Sequence, residues 1–205
     1  MSNSGGVTPV GSFGAGLPAG TSLIELTLAL GIVSLAAAMS APLLAGAADA
    51  GRAREGAQFL AAQCRAARAD AIARSTTASV VFDLVSGRWR FRRCADGNGN
   101  GMRRADITSG RDTCLASTEV SELFSGVRID VPAGLPDPDG GTSTNGAVRF
   151  GSSDIASFTP AGTATAGTVY LRSDGGAQYA IRVAGTTGRV RVLRYDAVSH
   201  AWAEI

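Results

Sequence analysis

The chain has no lysine, a single histidine and three cysteines, and before Asp49 it carries one charged side chain, Glu25. Each shortage excludes something. His200 has no serine or cysteine near it in a recognisable arrangement, so the usual nucleophile–base pairs are missing; it reads as an exposed residue at a strand end. No histidine–cysteine spacing suits zinc, and no glycine-rich phosphate loop stands between a strand and a helix. No enzyme is expected. A formal net charge of +2 excludes a surface that is wholly a nucleic-acid glove. With 45% hydrophobic and 18% charged residues, disorder is excluded as well. The length of 205 residues allows one globular domain plus an appendage. Glycine, at 27 residues, is abundant and suits a fold with many tight turns.

The first fifty residues hold the uneven part. Residues 1–20 are rich in Gly, Ser and Pro, carry no charge and show no period. From Leu26 to Ala48 no side chain is charged, and only Thr27, Ser34 and Ser40 are clearly polar. About 20 apolar residues cross a ~30 Å hydrocarbon layer as a helix, so residues 21–48 are expected to be transmembrane. Pro42 would remove one helical hydrogen bond near the end of that span. Three readings compete. A secretory signal peptide would be cut near Ala45-Gly46-Ala47, but its apolar region should be about 7–15 residues long. A plain signal anchor has the length. Neither explains a carboxylate at the head of the span, which is costly in hydrocarbon.

The third reading uses every residue. Gly20-Thr21-Ser22-Leu23-Ile24-Glu25-Leu26, followed by the uncharged run, resembles the processing site of type IV prepilins. That resemblance implies cleavage after Gly20, a new amino terminus at Thr21, and Glu25 as the fifth mature residue. It also implies a prepilin peptidase and other pilins as partners, and the inner membrane as the initial location, with the rest of the chain in the periplasm. Thr21 stands where the family usually has an aromatic residue or methionine. The leader lacks a basic residue, whereas Arg52 and Arg54 follow the span, opposite to the positive-inside tendency. In a filament, Glu25 would pair with the α-amino group of Thr21 on a neighbouring subunit and set the axial register. In low dielectric that pair is favoured over either charge alone.

Beyond Asp49, apolar residues Ala53, Ala57, Leu60, Ala61, Cys64, Ala67, Ala71 and Ile72 recur at helical spacing, with Arg52, Arg54, Glu55, Arg65, Asp70 and Arg74 mostly on the other side. One helix is expected from about Thr21 to Arg74, its segment 49–75 amphipathic and in need of a sheet. Cys64 falls on the apolar face as a core residue. After Ser75 the period becomes two. Strands are expected at 79–84 and 88–93, joined by Ser86-Gly87, then at 127–131, 147–150, 156–159, 168–172, 179–183 and 189–195. The longest loop is Leu135–Asn145. The predicted fold class is α+β, with residues 76–205 forming two antiparallel sheets against the helix.

Three carboxyl-terminal segments narrow the resemblance: Phe158-Thr159-Pro160-Ala161-Gly162, Gly167-Thr168-Val169-Tyr170-Leu171 and Thr187-Gly188-Arg189-Val190-Arg191-Val192. With the helix segment from Cys64 to Ile72, they are similar to the GspH/FimT-like minor pilins and pseudopilins of type IV pili and type II secretion systems. The middle of the chain, roughly 95–145, is not matched. The extracytoplasmic setting that the resemblance implies permits a disulfide, for which Cys94 and Cys114 are the candidates because Cys64 sits on the helix face. Asp96, Asn98 and Asn100, with Gly101 in sixth place, form the first half of a calcium-binding loop. Ile107 stands where the bidentate acid belongs, and Arg103 and Arg104 bring positive charge. A Gly/Asn turn is the alternative, and no other cofactor is implied. Some FimT-like pilins are associated with DNA uptake, which would place a contact at Arg189, Arg191 and Arg194. Arginine suits phosphate, and the alternative is a solvated strand face.

Overall fold

The structure, a computed structural model, describes residues 22–141 and 146–205, without the side chains of residues 39–43. The chain divides into two units, Met1–Pro42 and Leu43–Ile205. Helix α1 spans Leu23–Arg74. The expected transmembrane character of 21–48 needs correction: among the described residues no helix is long and apolar enough to cross a membrane.

In the second unit the helix is amphipathic, as its spacing predicts. Ala53, Ala57, Leu60, Ala61, Cys64, Ala67 and Ala71 are buried. Most are alanine, so the strands can approach the helix closely. The helix stops at Arg74, a cation in the last turn that suits the carboxyl end of the macrodipole. Ser75 then turns left-handed at φ 53°, and the Thr76 N–H reaches back to the Ala71 carbonyl at 3.3 Å, the reverse bond of a Schellman ending.

Two antiparallel sheets cover that face. Sheet A is built from β1 (Ala78–Val85), β2 (Arg88–Ala95), β3 (Thr113–Cys114), β4 (Thr118–Glu119) and β7 (Ile155–Phe158). Its order is β3-β2-β1-β7, with β4 on the same edge of β2 as β3. Sheet B contains β5 (Val127–Ile129), β6 (Val148–Arg149), β8 (Gly167–Ser173), β9 (Gln178–Val183), β10 (Val190–Asp196) and β11 (Ala201–Glu204). Its order is β11-β10-β9-β8-β5, with β6 beside β5 on β8. The α+β class with a helix packed on two antiparallel sheets is therefore as expected. The β1–β2 turn is Ser86-Gly87, both with positive φ (51° and 78°), the two-residue turn whose twist suits a hairpin.

One main core joins the helix face to Val80, Phe82 and Phe91 of sheet A and to Val169, Leu171, Ile181 and Val183 of sheet B. Alternate residues point to the outer faces, and each outer face has its own cover. On sheet A, Val81, Cys94 and Ile155 pack under Met102 and Ile107, which belong to the excursion containing α2 (Arg104–Ser109). On sheet B, Tyr170, Ala180 and Leu193 pack under Leu135. A short α3 (Val120–Leu123) precedes β5.

Candidate functional sites

The amino-terminal unit is an uncovered apolar helix. Leu23, Ile24, Leu26, Leu28, Leu30, Ile32, Val33 and Leu35 are all more than half exposed. Glu25 lies in the first turn, itself exposed, where a negative charge suits the positive end of the helix dipole. The Leu26 N–H donates to the Ser22 carbonyl at 3.0 Å, so helical bonding already begins at this point. Gly20 and Thr21, the expected processing residues, lie outside the described residues.

Asp49, the first acid after the uncharged run, holds the helix to the β8–β9 turn. Its Oδ2 accepts from Ser173 Oγ at 2.5 Å and from the Gly175 N–H at 3.1 Å. A Cβ on residue 175 would lie 2.3 Å from that oxygen, so only glycine fits. Arg52 flanks Asp49 at 3.5 Å and donates to the Ser125 carbonyl. The pattern of charges locates Asp49 in sequence but cannot show this bond.

Two of the three carboxyl-terminal motif segments, those of Gly162 and Gly188, have a structural meeting point at Arg68 of α1. A Cβ on Gly188 would stand 2.6 Å from the Gly162 carbonyl oxygen and 2.9 Å from Arg68 Nε. The Pro-Ala-Gly turn, the Thr-Gly-Arg turn and the helix thus come together where residue 188 has no side chain and takes φ 59°. Arg65 adds a bond to the Val190 carbonyl at 3.4 Å.

Cys94 and Cys114 are directly paired across β2 and β3 and form a disulfide. They close a separation of 20 residues, and the excursion so closed covers sheet A. Arg104 fastens it at the other side, donating to the Ser153 carbonyl at 2.9 Å and pairing with Asp83. Cys64 is fully buried, and burial pushes its thiol up to about 12, against a smaller opposing effect of Arg65. Such a thiol is inert.

Inside the excursion, Asp96 serves the backbone. Its Oδ1 accepts from the N–H groups of Asn98 and Gly99 at 3.1 and 2.8 Å, and its Oδ2 from Gly101 at 2.7 Å. Asn98 Oδ1 accepts from the Asn100 N–H at 3.2 Å, and Asn100 donates its amide to Asp106 at 3.1 Å. Arg111 pairs with the same Asp106. These bonds build a tight Gly/Asn turn. Among the described residues no group of three or more His, Cys, Asp or Glu is placed to hold a metal ion.

The structure does not gather Arg189, Arg191 and Arg194 into one cluster. Arg189 and Arg191 converge on Glu204, at 3.1 and 2.8 Å. Arg194, three residues beyond Arg191 on the same strand, falls on the opposite face. His200 sits exposed in the β10–β11 turn at φ 50°, its Nδ1 3.2 Å from the Tyr195 hydroxyl.

Sequence reasoning missed the segment from Leu135 to Gly140, which it treated only as a loop. Leu135 and Asp137 are buried. Asp137 pairs with Arg149 and accepts from the Tyr170 hydroxyl at 3.2 Å, Asp139 pairs with Arg182, and Trp202 Nε1 donates to the Pro136 carbonyl at 2.8 Å. The signal was an apolar residue and two acids at alternate positions, Leu-Pro-Asp-Pro-Asp.

No protein-family profile matches the chain, and no solved structure matches it. Among curated proteins, it is 36% identical over 70 residues to the type II secretion system protein H of Xanthomonas campestris pv. campestris. The matched stretch is 34% of this chain and 41% of that relative, so less than half of the relative's length is spanned.

Proposed function

We propose that the chain is a minor pilin-like structural subunit, with a pseudopilin of a type II secretion system favoured over a subunit of a type IV pilus. The observation that carries this reading is the helix segment from Leu23 to Leu35, whose large apolar side chains stand exposed around one acid, Glu25. Contiguous exposed apolar surface of this kind marks an interaction site. Helices of the same kind from neighbouring subunits would cover it, and Glu25 would pair with the α-amino group of Thr21 on one of them. The partial similarity to a type II secretion protein H supports the choice of machine.

The same reading gives the chain its other partners. A prepilin peptidase cuts after Gly20 and methylates Thr21, the inner membrane holds the chain before assembly, and other pseudopilins receive it. The domain then lies outside the cytoplasm, a compartment in which the Cys94–Cys114 bond persists. The role is structural and not catalytic. DNA binding through Arg189, Arg191 and Arg194 is the weaker alternative, because two of these arginines share Glu204 and the third lies on the other face.

Mass spectrometry of the chain recovered from its native host tests the reading. The expected amino terminus is N-methylated Thr21. An amino terminus near Asp49 would restore the secretory signal peptide and remove the assembly helix from the mature protein.

A further inference from the structure

The outer face of sheet B carries a row of arginines that the main core does not require. Register aligns Arg149 with Thr168, Thr168 with Arg182, and Arg182 with Arg191, across β6, β8, β9 and β10. Arginines directly opposite one another repel, yet each here meets a carboxylate: Arg149 meets Asp137, Arg182 meets Asp139, and Arg191 meets Glu204. Beside the row, Tyr170, Ala180 and Leu193 form an apolar hollow rimmed by Tyr195 and Trp202, and Leu135 fills it.

The two sides of this contact are built differently. The face belongs chiefly to β8, β9 and β10, each paired along both edges. The segment lying on it, residues 135–140, is a loop whose Gly140 N–H closes on the Asp137 carbonyl at 2.9 Å and whose Asp137 N–H bonds the Gly141 carbonyl at 3.0 Å. Side chains fasten it to the face: one leucine, two carboxylates and the Trp202 bond to a carbonyl. A strap fastened in this way can be replaced by another segment offering the same groups.

We propose that the outer face of sheet B is a binding site for an acidic segment of a partner protein chain, and that the strap Leu135–Gly140 is its resident competitor. The partner segment carries an aliphatic side chain two positions before a carboxylate, to match Leu135 and Asp137, and a second acid for Arg182. The hollow selects a peptide over a nucleic acid strand, because it takes an aliphatic side chain. Glu204 also stays on β11 when the strap leaves, and would face any phosphate brought to Arg191.

The test uses the full chain and a fluorescently labelled peptide with the sequence of residues 133–141, read by fluorescence anisotropy. An intramolecular competitor acts at an effective concentration on the order of millimolar, so the unaltered chain should bind the peptide weakly. The triple variant Leu135→Ala, Asp137→Asn, Asp139→Asn should bind it at least tenfold more tightly. Adding Arg149→Ala and Arg182→Ala should abolish the gain. The proposal is overturned by a folded triple variant that binds no better than the unaltered chain, or by a gain that survives loss of both arginines. Tighter binding of a single-stranded oligonucleotide of equal charge would assign the face to nucleic acid instead, and a strap-dependent dimer would assign it to a second copy. Should the triple variant not fold, Asp139→Asn alone serves, since that side chain is 60% exposed. It should tighten peptide binding at least twofold, and no change overturns the proposal.

Discussion

Asp49 and Ser173 are hydrogen-bonded at 2.5 Å across 124 residues of sequence, and both side chains are buried. The Ser173 hydroxyl donates to the carboxylate and accepts from the Ala177 N–H at 3.0 Å, so the β8–β9 turn and the helix share one bonded unit. Within the folded domain, Asp49 is therefore a docking residue of α1.

Replacing Asp49 by alanine leaves the Ser173 hydroxyl and the Gly175 N–H without their acceptor. An unsatisfied buried group costs about 1–3 kcal/mol. Urea denaturation should show a loss of that order for Asp49→Ala and a smaller one for Asp49→Asn, which keeps an acceptor oxygen. Gly175→Ala should also destabilise, because its Cβ would lie 2.3 Å from Asp49 Oδ2. Equal stability of all four proteins would mean the bond does not fasten the helix.

The Cys94–Cys114 bond closes a 20-residue separation. The chain-entropy account gives such a closure roughly 3 kcal/mol. Thermal melts of the double Cys94→Ser, Cys114→Ser variant should fall clearly below those of the oxidised parent. Adding reductant should lower the parent to the variant's value and leave the variant unchanged. Native-state thiol titration of the parent should find nothing reactive, because Cys64 is buried with its thiol pushed up to about 12.

The elements that this sequence made legible are those with a strong period. Buried positions 53, 57, 60, 61, 64, 67 and 71 on α1 could be read directly from the apolar spacing. The hairpin of β1 and β2 was legible with its Ser-Gly turn, and β5 to β10 fall within one or two residues of expectation. What could not be read were β3, β4, β11, α2 and α3. Those elements are two to six residues long, too short for a period to declare itself. They form because the outer faces of the sheets need cover and edges need partners, which is tertiary information. The site residues divide in the same way. The pairing of Cys94 with Cys114 followed from elimination within a resemblance, whereas the Glu204 that neutralises Arg189 and Arg191 lies on the unseen β11.

Glu25 is exposed in the first turn of α1, so its removal should not unfold the domain. Under the proposed assembly role, Glu25→Ala should keep the parent's melting temperature and leave the chain out of filaments. Glu25→Gln, which keeps a hydrogen-bond acceptor but no charge, should fail as well if the pairing with the α-amino group is ionic. Quantifying the chain in sheared filaments against total cells checks both. Normal incorporation of either variant would remove the charge-pair argument.

Asp137 ties the strap's behaviour to acid. Burial pushes its carboxyl up, but the Asp139 N–H, Arg149 and the Tyr170 hydroxyl outweigh burial and hold it below the usual carboxylate range. A carboxyl lowered in the folded state contributes stability that is present above its unfolded value, about 3.9, and is lost as pH falls through the folded value. Stability should therefore decline below about pH 4, and Asp137→Asn should make that decline shallower while lowering stability at pH 7. Asp106, lowered chiefly by the Asn100 amide and then by Arg111, shares the same limb, so the variant flattens it only in part. Asp154 runs the other way. Burial raises its carboxyl, against a smaller effect of Arg104, so its contribution is present at low pH and lost as pH rises through the folded value. Asp154→Asn, which also tolerates the left-handed backbone at φ 53°, should stabilise at pH 7 and change little at pH 3. Urea midpoints of the three proteins across pH 3–7 separate these effects. Trp202 fluorescence, read in a Trp89→Phe background, follows the strap, because its indole N–H bonds the Pro136 carbonyl. A Trp202 signal that stays constant while the domain loses stability would show that acid weakens other contacts before the strap.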